Sequence, residues 1–214
     1  MTFRDRTEAG RQLAAVLAPK LAGRGDLLVL ALPRGGAPVG AEVALGLNAP
    51  LDLWFAHKIG APGNPEFAIG SVAETGPPHI EERAVQSLRV PFSYIREEAA
   101  IQQADLARRA RYYRGGRPPT MIEGKCVVLV DDGVATGSTA HAAIKALRAR
   151  NPARVVFAAP IVAADALQRL ASDADDLVAL DAPRGFTAVG QFYDHFTQVS
   201  DEEVLSLLAA SHPA

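Results

Sequence analysis

An apolar run, Val127 to Val130, passes directly into Asp131-Asp132-Gly133 and then into the small-residue stretch Val134-Ala135-Thr136-Gly137-Ser138-Thr139, and this junction limits the fold more than any other feature. The run is β-branched and of a length that suits a buried parallel strand, while Ser138 to Arg150 reads as a helix. The acids and small residues therefore occupy a strand-to-helix loop. A helix N-terminus has unpaired backbone N–H groups and the positive end of the helix dipole, so a phosphate over Thr136 to Thr139 would meet amides and hydroxyls. Gly133 and Gly137 let the backbone come close. Ionised Asp131 and Asp132 are acceptor-only groups, ill-suited to a phosphate and well suited to the hydroxyls of an adjoining sugar. A plain Asp-Gly turn with Thr136 or Ser138 as N-cap accounts for a shorter match. A match over the whole segment favours a phosphorylated sugar.

With 214 residues, 49% of them hydrophobic and 21% charged, the chain can build one sizeable core. Single cores extend to about 250 residues, so one domain over residues 1–214 is expected. A formal net charge of -2 gives no general attraction to nucleic acid or an anionic membrane, and an anion site must be local. The single cysteine, Cys126, opens the apolar run and is expected to be a buried, inert thiol. The opening residues Met-Thr-Phe-Arg-Asp-Arg lack the apolar stretch of a signal peptide, and no apolar run approaches the ~20 residues that span a bilayer. A soluble, cytoplasmic protein without a membrane partner is expected.

Asp5 to Leu21 carries Leu13, Val16, Leu17 and Leu21 at helical spacing. Leu27 to Leu32 predicts a first buried strand, followed by a helix to about Gly46, and Leu51 to Ala56 predicts a second strand. Gly, Pro and Asn punctuate residues 60–78 around Phe67 to Val72, which suggests a hairpin or flap. Tyr94 to Tyr113 predicts a polar helix whose end gathers Arg108, Arg109, Arg111, Arg114 and Arg117, either as solvated cations near the negative helix end or as a patch for diphosphate or RNA. Arg154 to Ala159 and Leu177 to Leu180 predict strands around a helix over Ala164 to Ala171, and Asp201 to Ala210 a last helix. Alternation of strand and helix implies an α/β fold, a mostly parallel sheet flanked by helices, with a small irregular hood or flap around 60–80 and 181–196.

Leu32-Pro33-Arg34-Gly35-Gly36 falls at the end of the first strand, the edge that lines the ligand crevice in open α/β sheets. Its glycines would let amides approach a diphosphate, and Arg34 would add a charge-assisted contact; a tight turn with a surface arginine is the simpler account. Lys58 follows the second strand and either reaches the crevice or is an ordinary exposed lysine. No dinucleotide glycine spacing, Gly-x4-Gly-Lys-Ser/Thr or Gly-x-Ser-x-Gly occurs, and His57, His79, His141, His195 and His212 form no metalloprotease pairing. One cysteine excludes a cysteine-rich zinc site.

Taken together, the Asp-Asp loop resembles the 5-phosphoribosyl diphosphate (PRPP) signature of type I phosphoribosyltransferases, and Pro33 to Gly36 resembles that family's diphosphate loop, where a non-proline cis peptide is frequent. Lys58-Ile-Gly60-Ala-Pro62-Gly-Asn64-Pro65-Glu66 and Ala188-Val-Gly190-Gln-Phe192-Tyr193 match segments of one branch of the family, and the likeness runs from about residue 3 to 207. The resemblance implies that Asp131 and Asp132 hold the ribose hydroxyls while Gly133, Val134, Ala135, Thr136, Gly137, Ser138 and Thr139 anchor the 5-phosphate. Arg34, Gly35, Gly36, Lys58 on a closing loop and Mg2+, itself bound mainly through PRPP, would oppose charge on the departing diphosphate. It also implies a nitrogenous acceptor and a homodimer. A PRPP or nucleotide sensor without turnover is the competing reading, with a hydrolase on the same scaffold behind it. Ala135 stands where 6-oxopurine transferases place an acid, His57 where arginine is frequent, and Asp194-His195-Phe196 departs from a more usual acid before Phe. Phe192 and Tyr193 either stack on a base or pack in the core.

Overall fold

The computed structural model describes residues 1–211; His212 and the side chain of Glu66 lie outside the described set. Helix α1 (Arg6–Leu21) begins at Asp5, whose carboxylate accepts the Glu8 N–H at 2.8 Å. Strand β1 (Leu27–Ala31) and helix α2 (Gly36–Leu47) follow, then β2 (Leu51–Leu53), β3 (Ala56–Ala61), β4 (Asn64–Ala73) and β5 (His79–Ile80). Helices α3 (Glu82–Leu88) and α4 (Phe92–Arg114) lead to β6 (Cys126–Val130) and α5 (Ser138–Arg148). The chain closes with β7 (Arg154–Ile161), α6 (Ala164–Leu170), β8 (Asp176–Asp181), a 3-10 turn (Val189–Phe192) and α7 (Asp201–Ser211).

The main sheet is five-stranded, in the order β2-β1-β6-β7-β8, and every pairing in it is parallel. Both faces are covered, which is why its strands read as continuous apolar runs. Val29, Ala31, Val128 and Val130 face α1 and α2 through Leu13, Leu17, Val39 and Val43. Leu28, Leu30, Val127 and Leu129 face α5 through Ala143, Ile144 and Leu147. Each fully buried side chain of this size stabilises by about 1.5–3 kcal/mol. Cys126 is fully buried, and that burial pushes its thiol up, away from the thiolate. No helix among the described residues is long and apolar enough to cross a membrane.

Strand order reverses between β1 and β6, because the chain steps outward to β2 on one side and to β7 and β8 on the other. In open α/β sheets the ligand crevice lies outside the carboxyl ends of the strands at such a reversal. Ala31 stands opposite Val130, so the loops that start at Leu32 and Asp131 emerge level with each other.

The expected second strand, Leu51 to Ala56, is divided. Only Leu51–Leu53 pairs with β1, whereas Ala56 begins a separate three-stranded sheet in the order β3-β4-β5. Trp54 makes the break: its N–H still reaches Ala31 O at 2.9 Å, but its buried indole Nε1 donates to Ala143 O of α5 at 2.9 Å and turns the chain out of the main sheet. In the second sheet β3 and β4 form an antiparallel hairpin with a register shift at Gly60, where a Cβ would lie 2.6 Å from Pro65 Cα.

The arginine group at the end of α4 is also corrected. Arg114 is 5% exposed, with Nε donating to both Asp52 oxygens at 3.0 Å, Nη2 to Glu74 Oε1 at 2.7 Å and to Leu53 O at 2.9 Å, and Nη1 to Glu74 Oε2. Thr120 adds its N–H and hydroxyl to Asp52 Oδ2, at 3.2 and 2.8 Å. This buried network binds α4, the edge strand β2 and the end of β4 together. Arg108 faces solvent and pairs with Asp105.

Candidate functional site

The loop after β1 is seated on the loop after β6. Leu32 N–H donates to Val130 O at 2.8 Å, and the Pro33–Arg34 peptide is cis. A Cβ on Gly35 would stand 2.2 Å from Asp132 Oδ2, and one on Gly36 would stand 2.8 Å from Val130 O and 3.1 Å from Asp131 Cα. The glycines are thus required first by loop-on-loop packing. Gly36 N–H donates to Leu32 O at 2.9 Å, so this amide is turned inward, unlike the expectation that it faces a diphosphate. We expect Gly36→Ala to lower stability by about 1–3 kcal/mol, since the obstacle is backbone and the entropy gain of Gly→Ala, about 0.4–1 kcal/mol, is smaller. A urea midpoint equal to that of the wild type would contradict this packing.

Asp131 and Asp132 begin the second loop. Asp132 N–H donates to Asp131 Oδ1 at 2.9 Å, Asp132 Oδ2 accepts from Arg6 Nε at 2.8 Å, and Asp132 O accepts from the Tyr193 hydroxyl at 2.6 Å. Burial, and then the adjoining Asp132 charge, push Asp131 well above the usual carboxylate range. Burial raises Asp132 as well, but the Arg6 guanidinium opposes it. As pH falls the pair takes up its first proton mainly at Asp131, so the two acids are not equivalent as the sequence suggested.

Val134 stitches the loop to β7: its N–H donates to Ile161 O at 2.8 Å and its carbonyl accepts from Ala163 N–H at 2.9 Å. It offers no amide to a ligand. Among the described residues, the amides of Ala135, Thr136, Gly137 and Thr139 have no partner within the chain. Gly137, at φ 81, turns the backbone into α5 through the left-handed region that favours glycine. Thr136 and Ser138 hydroxyls lie 3.2 Å apart, and Arg169 Nη2 holds Thr136 O at 2.7 Å. A cavity of about 410 Å³ opens here, walled by Thr136, Ser138, His141, Arg169 and Leu170, with Phe67 of the flap on its far side.

His141 is fixed beneath this cavity by Asp173, Nδ1 to Oδ2 at 2.7 Å, and its Nε2 lies 3.5 Å from Glu81 Oε1. The Asp173 hydrogen bond raises His141 above its ordinary value. A raised group contributes stability that is complete below its unfolded value, about 6.5, and that is lost as pH rises through the folded value. We therefore expect His141→Gln to lower the urea midpoint more at about pH 5.5 than at about pH 9. Equal effects at both would contradict the pairing.

Arg34 is paired with a carboxylate the sequence did not suggest: Nη1 lies 3.3 Å from Asp201 Oδ1, which also accepts the Tyr113 hydroxyl at 2.5 Å. Lys58 lies within β3 opposite Ser71 and not on a loop, so any closure that carries it is a motion of the second sheet. Tyr193 is 6% exposed, with its ring 5.6 Å from Phe3 and 5.0 Å from Phe196, which settles it as a packing residue of the hood. Phe192 stacks on Phe186 at 5.2 Å. Arg6, Arg169 and Asp201 are the site-wall residues that sequence reading missed. Only Asp201 was placed, at the start of the expected last helix, with no sign of its partners Arg34 and Tyr113.

A family model described as a phosphoribosyl transferase domain matches residues 5–192. The chain belongs to the phosphoribosyltransferase family. A curated Mycobacterium tuberculosis protein named "Putative phosphoribosyl transferase Rv0571c" is 43% identical to this phosphoribosyltransferase-family chain over 210 residues. That match takes in 98% of the chain and 47% of the relative, so the chain spans about half the length of the curated relatives it matches. The crystal structure of TT1426 from Thermus thermophilus superposes with a TM-score of 0.91 at 45% identity, over 98% of this chain and 99% of that one. The AQ2163 protein of Aquifex aeolicus shares the fold at a TM-score of 0.51 and 13% identity, over 86% of this chain and 78% of that one.

Proposed function

We propose that the chain transfers the 5-phosphoribosyl group of PRPP to a nitrogenous acceptor and releases diphosphate. The observation that carries this is the level emergence of two complementary loops at the switch point, one with paired acids and free helix-end amides, the other with Arg34. The amides of Ala135, Thr136, Gly137 and Thr139 would hold the 5-phosphate, with the Thr136 and Ser138 hydroxyls beside them. Asp131 and Asp132 would orient the ribose hydroxyls and favour positive charge on the ring as the bond to diphosphate breaks. Arg34 and the Gly35 amide would meet the departing diphosphate. Among the described residues no three His, Cys, Asp or Glu side chains converge as a metal cage. Mg2+ would bind through the phosphate oxygens of PRPP, where it would neutralise leaving-group charge.

A second reading, binding without turnover, is supported by the Arg6–Asp132 and Arg34–Asp201 ion pairs, which engage one proposed group in each half of the site. A panel of purine, pyrimidine and amine acceptors with Mg-PRPP separates the readings through diphosphate release. Transfer predicts release that depends on one acceptor class. Release without acceptor indicates a hydrolase, and binding without release by any member indicates a sensor.

A further inference from the structure

Arg6 belongs to the first turn of α1, yet its guanidinium reaches Asp132, the acid proposed above for the ribose hydroxyls. Nε donates to Asp132 Oδ2 at 2.8 Å, Nη1 to Thr197 O at 2.8 Å, and the guanidinium carbon sits 3.8 Å from the Phe196 ring centroid. Side-chain exposure is 11% for Arg6 and 13% for Asp132, so water screens the pair little. On its other side the Asp132 carboxylate is pressed against Gly35. Phe196 in turn is backed by Gly190, where a Cβ would come within 2.9 Å of its ring, and by Tyr193. The hood segment and the start of α1 are joined by a parallel bridge between Phe3 and Tyr193. These contacts converge on one carboxylate.

We propose that Arg6 is a positioning residue for Asp132: clamped by Phe196 and Thr197, it holds that carboxylate charged and fixed against the diphosphate loop. The groups facing Asp132 are Arg6 from α1, Asp131 beside it in the chain, and the Tyr193 hydroxyl at its carbonyl. Arg6 is the one cation among them. Without it, burial would leave Asp132 to take up a proton, and a neutral acid does not favour a cationic ring.

The inference rests on the PRPP reading only for its binding arm. Carbon-13 NMR of labelled aspartate carboxyls follows Asp132 directly in the wild type, Arg6→Gln and Arg6→Lys, without any ligand. The titration midpoint of Asp132 should rise in Arg6→Gln and return part of the way in Arg6→Lys, which retains the charge and guards against a merely unfolded variant. In calorimetry with Mg-PRPP, the affinity lost in Arg6→Gln relative to wild type should be about tenfold greater at a pH between the Asp132 midpoints of the two proteins than above both. A midpoint indifferent to Arg6, or an affinity ratio independent of pH, overturns the proposal. If wild type fails to bind Mg-PRPP while Asp132 still follows Arg6, the functional reading falls and the positioning role stands.

Discussion

Replacing Arg114 with methionine should lower the free energy of unfolding by about 3–5 kcal/mol, the cost of leaving buried carboxylates without their cation. Asp52 and Glu74 are 4% and 5% exposed, and neither can turn to water without parting β2 or β4 from α4. Replacing Asp52 and Glu74 by Asn and Gln in the same chain should recover part of the loss, because the penalty lies in unpaired charge and not in missing attraction. Urea titrations of the single and combined variants measure both. A loss below about 1 kcal/mol for Arg114→Met would put the network at the level of a solvent-screened surface pair and contradict its burial.

The second large effect concerns transfer itself. Converting Asp131 and Asp132 together to asparagine preserves shape and removes the negative charge proposed to face the ring, and acceptor-dependent diphosphate release should fall about 10²–10³-fold. The wild-type pH profile should carry an acidic limb above the range of ordinary carboxylates, because burial and the adjoining charge raise Asp131. As pH falls through that titration Asp131 becomes neutral and activity declines with it. A profile flat down to the ordinary carboxylate range would separate Asp131 from the transfer step.

What could be read from the sequence was whatever local pattern decides. The strand Cys126–Val130, the loop after it and the start of α5 lie within a few residues of one another, so apolar run, acids and small residues located them together. The same holds for β1 and the Pro33 to Gly36 turn, and the cis peptide stands where family resemblance placed it. Local pattern failed where distant residues intervene. Trp54 and Phe55 prolong the apolar run of β2, but the strand ends at Leu53 and the Trp54 indole bonds Ala143, 89 positions on. Arg114 resembles its exposed neighbours until it meets carboxylates 62 and 40 positions away. Arg6 looks like an ordinary first-turn cation, and its partner Asp132 is 126 positions distant. Gly35 and Gly36 were read as ligand-facing, but their foremost requirement is the packing of one loop on the other.

The crevice between β1 and β6 is proposed to grip PRPP at both ends. Calorimetric titration of Mg-PRPP into the wild type and into the Asp131→Asn, Asp132→Asn double variant tests it most directly. Saturable binding to the wild type is expected, with affinity about a hundredfold weaker in the variant from the loss of two charge-assisted contacts. No heat beyond dilution with the wild type, or equal affinity in the two proteins, would contradict it.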